Sequence, residues 1–387
     1  MGILAVLCIL AAGLLWFSFM SSPPEAVFPP VVSPHPPAND ISESGPWNVP
    51  VLVISYIPLK QGNVDISLTR DWNNPDIGAL RQKIKALSEG TAEALTKASV
   101  YHGYKREGVP SLNYSIVESK EFLKPILRTQ NQDWDFIADH LSELSALDVC
   151  NYVDNKGIKE VWIFMYHNDP PKDSNGNSIK DSDRYYVVPT ESNMAMGTEV
   201  RQYWNYNNYG DISNSFRFND LPTCIHTYTV YEYNYGREIG EALHDHGHQL
   251  EALFHYADNS DEKPAGADGL FWKRLVGSEY KDYLITVPHC GWIHYPPNAQ
   301  EEGYSYESKN KVWSDCENWN PDGTGEKEYI GCEKWSCTQE GFIVWWMQNI
   351  PGKGNNLSFE GKQLRNWWEF VGDFDMAIAK GKTLVLP

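Results

Sequence analysis

The sequence lacks the signatures of several common enzyme classes. It has no GxSxG segment, no P-loop and no GxGxxG segment, so a serine hydrolase, a nucleotide-binding protein or a dinucleotide-binding protein lacks support. No two cysteines stand in a CxxC spacing, which argues against a zinc site built from four cysteines. No sequence repeat is evident, which argues against a solenoid or a propeller.

Positive charge is also scarce. The chain has 32 lysines and arginines against 51 acidic residues, which gives a net charge of −19. Because an acidic surface is repelled by phosphate backbones, we expect no nucleic-acid partner. An acidic exported protein can instead hold divalent cations, so both zinc and calcium are candidate cofactors.

The first twenty residues carry no charge at all. Residues 1–20 contain an apolar run, and residues 21–46 form a proline-rich linker. This pattern predicts a signal peptide or a membrane anchor followed by an extended segment. We therefore expect the folded part to be extracellular or at the cell surface, with the membrane contacted only through the N-terminal segment.

Six cysteines remain beyond this segment. An even number of cysteines in an exported chain predicts up to three disulfides, whose pairing the sequence leaves open. The six are Cys150, Cys224, Cys290, Cys316, Cys332 and Cys337.

Short apolar runs alternate with amphipathic segments across residues 47–257. The alternation predicts an α/β core with a mostly parallel sheet flanked by helices. The predicted strands are Val51–Ile57, Leu112–Val117, Val161–Tyr166 and Ile225–Tyr233, and the predicted helices are Asp76–Tyr101 and Asp133–Val149. Residues 258–387 are rich in glycine, proline and aromatic residues, and we expect a loop-rich, disulfide-supported part packed on the core. Within it, Leu364–Ala379 is predicted to be a helix.

The most informative segment is EALHDHGHQLEALFH, residues 241–255, which holds four of the eleven histidines. On a helix, Glu241, His244, His248, Glu251 and His255 fall on one stripe, whereas His246 points elsewhere and is expected to be exposed. Two imidazoles one turn apart can bind a single Zn²⁺ ion, and catalytic zinc sites leave one position for water. We therefore predict that His244 and His248 bind a metal.

The segment HDHGH resembles the HExxH motif of zinc metallopeptidases, with aspartate in place of glutamate. The resemblance implies that His244 and His248 are zinc ligands and that Asp245 is the general base. Aspartate is one methylene shorter than glutamate, which moves its carboxylate about 1.5 Å away from a metal-bound water. The stretch from Val161 to Asn298 also resembles secreted bacterial proteins of unassigned activity, through Thr190–Ser192, Gly240–Glu251 and His294–Asn298.

The third metal ligand is open between Glu251, His289 and His294. Glu251 is preferred, because it lies on the same helical stripe three residues after His248. A closed site, which would be structural, and a helix without any metal are the alternatives.

Four residues are the catalytic candidates. Asp245 or Glu241 would accept a proton from the metal-bound water, and Arg237 or a distant histidine would stabilise the developing oxyanion. Glu191 is expected near the same rim, after the strands of the core.

Two polar segments have oxygen-bearing side chains at alternate positions, as calcium loops do. The first is Asn318, Asn320 and Asp322, followed by Gly323, and the second is Asp173, Asn175 and Asn177. Calcium is therefore a second candidate cofactor besides zinc.

These observations predict an exported metal-dependent hydrolase of an extracellular polymer, with peptide or amide bonds as first substrates and glycan linkages second. Two alternatives stay open. The fifteen tryptophans fit a non-catalytic surface module that binds carbohydrate. Paired carboxylates would fit a metal-free glycoside hydrolase.

Overall fold

The fold is built on a five-stranded sheet with helices packed against it. The computed structural model describes residues 46–69, 71–129, 137–167, 192–201, 220–258, 269–278, 285–299 and 303–386. Its strands are β1 (Trp47–Tyr56), β2 (Leu59–Lys60), β3 (Asn63–Val64), β4 (Leu112–Phe122), β5 (Arg128–Thr129), β6 (Ile137–Ala138), β7 (Glu160–Met165), β8 (Ser192–Ala195), β9 (Tyr228–Asn234), β10 (Val312–Ser314), β11 (Glu328–Ile330), β12 (Ser358–Phe359) and β13 (Lys362–Gln363).

The helices are mostly short, apart from two long ones that cover the sheet. The α-helices are α1 (Ile77–Ala98), α2 (His140–Ala146), α3 (Thr198–Arg201), α4 (Ile239–Asp258), α5 (Gln339–Met347), α6 (Glu369–Gly372) and α7 (Phe374–Ala379). Two π-helical segments, Asn151–Asn155 and Leu270–Val276, and two 3₁₀ turns, Cys316–Asn318 and Cys332–Trp335, complete the set. No helix among these described residues has the length and apolar character needed to cross a membrane.

The central sheet runs in the order β4, β1, β7, β9 and β8. The first four strands are parallel to their neighbours, and β8 pairs antiparallel with β9 at the edge. Strand β7 is buried along its whole length, as expected of a central strand that is covered on both faces. The predicted α/β class with a mostly parallel sheet is therefore confirmed.

Helix α1 shows why the sequence predicted this architecture well. Asp76 caps its start by accepting hydrogen bonds from the backbone N–H groups of Gly78 and Ala79. Its apolar stripe, which includes Leu80, Ile84, Leu87 and Leu95, is buried against the sheet.

Two other predicted helices differ from the structure. Helix α2 begins only at His140, and Leu364–Ala379 contains two short helices that are separated at Asp373.

The break at Asp373 has a local cause. The backbone there leaves the helical region, with φ of −156° and ψ of 82°. The Asp373 carboxylate accepts a hydrogen bond from the N–H of Met376, so it caps α7 as a new helix. An aspartate within an apolar helical pattern thus ends one helix and starts the next.

All six cysteines that follow the N-terminal segment form disulfides, as predicted. The pairs are Cys150–Cys224, Cys290–Cys316 and Cys332–Cys337. The last two support the loop-rich C-terminal part, where we expected them. The first lies within the α/β core, where it joins the segment before β7 to the segment before β9.

Candidate metal centre

Helix α4 is fixed to the end of strand β9 by a tight turn. Gly236 packs so closely on Asp71 that a Cβ atom would lie 2.5 Å from the Asp71 Cβ and 2.7 Å from its carbonyl oxygen. Asp71 also accepts hydrogen bonds from the Asn234 amide and from Nε of Arg237. These contacts set where α4 begins, and therefore which of its residues face the sheet.

The sheet-facing side of α4 carries His246. Its Nδ1 lies 2.9 Å from the carbonyl oxygen of Ala242, and its Nε2 lies 3.1 Å from a carboxylate oxygen of Glu160 on β7. The ring also stacks on Tyr231 with centroids 3.9 Å apart. His246 is 3% exposed, so the expectation that it is exposed was wrong. Its polar atoms find partners in the core, which is how a buried imidazole is accommodated.

The opposite side of α4 brings together three histidines. Nε2 of His248 lies 2.9 Å from Nε2 of His244 and 2.9 Å from Nε2 of His294. His244 and His248 are buried, whereas His294 is half-buried. We call these three residues the histidine cluster. Three imidazole nitrogens converging on one point form a donor set that suits zinc and other divalent transition metals.

Glu251 lies beside the cluster and holds it from two directions. Its Oε2 is 2.8 Å from Nδ1 of His248, and its Oε1 accepts a hydrogen bond from the backbone N–H of Ile293. Both oxygens are thus engaged outside the centre of the cluster. The structure brings His294 rather than Glu251 to the third position, and Glu251 contacts an imidazole of the cluster from the side.

The Glu251 contact also decides which nitrogen of His248 carries a proton. The carboxylate can only accept, so Nδ1 of His248 must donate, and in neutral His248 the Nε2 atom presents a lone pair to the other two imidazoles. This single lone pair can accept a hydrogen bond from only one of these two imidazoles. A cation at the centre of the cluster would satisfy all three.

Burial and the neighbouring histidines keep His244 and His294 uncharged at neutral pH. Burial, together with the neighbouring His248 and His294, lowers the pKa of His244 from 6.5 to about 2. Burial and His248 lower the pKa of His294 to about 3. Neutral imidazole is the form that binds metals, so these ligands are ready at neutral pH without losing a proton.

The segment that carries His294 reaches the helix because of two glycines. At Gly247 of α4, a Cβ atom would lie 2.2 Å from Cγ1 and Cδ1 of Ile293, so any larger residue would force the Ile293 side chain to shift. Gly291 has φ of +73°, and a Cβ there would lie 2.2 Å from the carbonyl oxygen of Tyr295. The disulfide between Cys290 and Cys316 anchors the same segment.

Three further polar groups surround the cluster. The hydroxyl of Tyr304 lies 2.8 Å from Nε2 of His294, and Nε2 of Gln339 lies 3.4 Å from Nδ1 of His244. Glu241 is exposed, one turn before His244. Burial, followed by Tyr304, Glu241 and Glu251, raises the pKa of Tyr306. Glu241 lies three residues before His244 on α4 and therefore on the same helical stripe.

Of the other predicted catalytic residues, Asp245 and Arg237 make contacts away from the histidine cluster. Asp245 is half-buried, and its charge helps to raise the pKa of Tyr231 and Tyr233, after burial and Glu160. Arg237 forms an ion pair with Asp71 at the start of α4. Glu191 lies outside the described residues. The general base and the oxyanion stabiliser therefore stay predictions.

His289, the remaining ligand candidate, does not join the cluster. Its Nδ1 lies 2.5 Å from a carboxylate oxygen of Asp315, next to the Cys290–Cys316 disulfide. Within the part of the chain that the structure describes, a second group with metal-ligand spacing contains Cys150, Asp154 and Cys224. Its two cysteines are bonded to each other, so they offer no thiolate to a metal.

In the first calcium-like segment, Asn318 to Asp322, one predicted ligand oxygen is bound by a lysine. The side-chain oxygen of Asn318 accepts from the Lys105 ammonium at 3.3 Å, and its amide nitrogen donates to Glu328. Asp322 accepts two hydrogen bonds from Thr324. The second segment, Asp173 to Asn177, lies outside the described residues. Calcium binding stays a prediction without support from the geometry of Asn318 to Asp322.

The sequence predicted the helical pair but not the contact of Tyr304 with the cluster or the contact of Glu251 with Nδ1 of His248. Tyr304 is ten residues from His294 and belongs to no motif, so no local pattern indicated it. Comparison of the chain with models of known protein families and with curated protein sequences gives no match. Its function must therefore be inferred from the geometry of the histidine cluster.

Proposed function

We propose that the chain is an exported metal-dependent hydrolase, with zinc held by His244, His248 and His294. The observation that carries this proposal is the convergence of three Nε2 atoms, one of which has its lone pair directed inward by Glu251. Zinc bound by three histidines would polarise a substrate carbonyl and lower the pKa of a bound water.

The residues around the cluster fit the remaining needs of hydrolysis. Glu241 is the exposed carboxylate on the cluster side of α4, so it is the first candidate to accept a proton from water. Asp245, the counterpart implied by the HExxH resemblance, is the second candidate. The three disulfides favour an extracellular setting, and we propose peptide or amide bonds of an extracellular polymer as first substrates and glycan linkages as second.

Elemental analysis and activity assays test this proposal together. Protein purified without a histidine tag should contain about one zinc ion per chain, and His244→Ala and His248→Ala should lose it. His255→Ala is the matched control, because His255 lies on the same helix but outside the cluster. Protein that carries no metal but still hydrolyses its substrate would refute the proposal.

The choice of base is tested separately on the metal-loaded protein. Glu241→Gln and Asp245→Asn should both retain zinc, and loss of turnover in one of them identifies the base. Suitable substrates are unstructured proteins, blocked peptides and insoluble polysaccharides. If neither variant loses turnover, water or another group accepts the proton, and the roles proposed for both carboxylates are wrong.

One observation favours the carbohydrate-binding module as a second candidate. Trp313 on β10 and Tyr329 on β11 are paired across the two strands and are 62% and 55% exposed, with ring centroids 5.4 Å apart. Exposed aromatic rings of this kind can stack on sugars. Binding to polysaccharide that survives His244→Ala but is lost in Trp313→Ala, without hydrolysis of any polymer, would favour this candidate.

A further inference from the structure

Tyr304 stands at the open side of the histidine cluster. Its hydroxyl oxygen lies 2.8 Å from Nε2 of His294, nearly the same as the 2.9 Å that separates each neighbouring pair of Nε2 atoms within the cluster. Ligand atoms of a tetrahedral zinc site with bonds of about 2.0–2.1 Å lie roughly 3.3 Å apart. The Tyr304 oxygen thus lies at hydrogen-bond distance from one candidate ligand, and moving apart by about half an ångström would give the spacing of two ligand atoms.

The ring of Tyr304 is held in this position by further contacts. Its backbone N–H donates to the carbonyl oxygen of His294, and its φ of +63° is one that a tyrosine rarely adopts. The ring lies nearly parallel to that of His244, at 16° with centroids 5.8 Å apart. It also lies 4.3 Å from the ring of His294. The local backbone therefore turns a large side chain toward the cluster.

We propose that Tyr304 is the fourth protein ligand of the resting metal centre and that substrate or water displaces it. This deepens the proposed function, because it rests on the same metal site. Without a metal, the hydroxyl and Nε2 of His294 share one hydrogen bond. When that nitrogen binds a cation, this hydrogen bond is lost, so the phenol oxygen can bind the same ion and release its proton to water.

The exposure of the four residues indicates which ligand leaves. His244 and His248 are buried and His294 is half-buried, whereas Tyr304 is 55% exposed. Removing a buried imidazole from the ion would require the packing of α4 to change. Moving Tyr304 breaks its contacts with the rings of His244 and His294 and returns a proton from water to the phenolate, but it leaves the packing of α4 unchanged. The centre would then alternate between a closed arrangement with four protein ligands and an open one with three.

Copper titration tests the ligand directly. Apo protein is loaded with Cu²⁺, whose bond to a phenolate oxygen gives a charge-transfer band in visible light that imidazole ligands alone do not give. Wild-type protein should show this band, and Tyr304→Phe should bind Cu²⁺ without it. Tyr329→Phe is the matched control, because Tyr329 has the same exposed fraction but lies on strand β11.

Zinc affinity gives the second measurement. Tyr304→Phe should weaken zinc binding roughly tenfold or more, while Tyr329→Phe leaves it unchanged. A Tyr304→Phe protein that keeps the visible band, or that binds zinc as tightly as wild type, overturns the inference. The proposed hydrolase fails on a different result, the absence of any metal-dependent turnover, so a Tyr304 band without turnover would leave the ligand assignment standing.

Discussion

Both carboxylate oxygens of Glu251 are engaged beside the histidine cluster rather than at its centre. Spacing alone made Glu251 the preferred candidate for the third metal ligand, because it lies on the helical stripe of His244 and His248. Its two oxygens instead contact Nδ1 of His248 and the N–H of Ile293. A stripe identifies the face of a helix, but it does not say whether a carboxylate points at the ion or at the imidazole beside it.

Replacing Glu251 by glutamine tests its role as an orienting residue. A glutamine can keep its oxygen on the Ile293 N–H, but its NH₂ group then faces Nδ1 of His248. Nδ1 must accept, so the proton moves to Nε2 and the lone pair that faces the cluster is lost. We expect Glu251→Gln to fold with unchanged far-UV circular dichroism and to bind zinc about 10–100-fold more weakly.

The control for this prediction lies on the same helix. Gln249 is buried and contacts Ser192 and Met194 rather than the cluster. Gln249→Glu, the reverse exchange of amide and carboxylate, should leave zinc affinity unchanged in the fraction that folds. If Glu251→Gln binds zinc as tightly as wild type, Glu251 does not set the tautomer of His248.

Helix α4 is the element that joins the core to the candidate site. One side of it contacts the sheet through His246 and Glu160, and the other presents His244 and His248 to the segment around Ile293. The sequence predicted this helix and its ligand pair, since both depend on local spacing. It could not select His294, which is 46 residues beyond His248 and reaches it only through tertiary packing.

Gly247 is the residue of α4 against which the segment around Ile293 packs. Gly247→Ala places a methyl group where the Ile293 side chain packs, so that side chain or the segment that carries it must shift. An alanine ordinarily favours a helix by about 1 kcal/mol over glycine, yet here we expect lower stability and zinc affinity reduced at least tenfold. Isothermal titration with zinc and urea unfolding measure the two effects.

A second helical glycine provides the comparison for Gly247. At Gly240 a Cβ atom would meet Gln339 and Glu340 at 3.6 Å, which is an ordinary contact. Gly240→Ala should therefore keep zinc affinity and show equal or higher stability. Equal behaviour of the two variants would mean that close approach at Gly247 does not position His294.

At the scale of the whole molecule, the sequence predicted the fold class but not the connections. Apolar runs and amphipathic segments identified the strands and helices, because those patterns are local. The strand order β4, β1, β7, β9, β8 and the pairing of Cys150 with Cys224, 74 residues away, depend on contacts that no local pattern encodes. For the same reason, the sequence made both His289 and His294 candidates for the third metal ligand but gave no ground for choosing between them.

The lowered pKa values of His244 and His294 should make the metal-free protein less stable in mild acid. Unfolded, His244 and His294 take up protons near their ordinary pKa of 6.5, whereas in the folded chain their pKa values fall to about 2 and about 3. Between these values the unfolded chain binds more protons, so the free energy of unfolding decreases as pH falls below 6.5. Each histidine contributes at most about 1.4 kcal/mol per pH unit, and less where solvent screens the half-buried His294.

Urea unfolding of chelator-treated protein at pH 7 and pH 5 measures this effect. Carboxylates also titrate in acid, so the informative quantity is the difference between wild type and the double variant His244→Gln with His294→Gln, which cannot take up these protons. We expect the double variant to lose less stability than wild type between the two pH values, whatever its stability at pH 7. Equal losses would mean that His244 and His294 accept protons in the folded chain as readily as in the unfolded chain, and these two imidazoles would then not be held neutral.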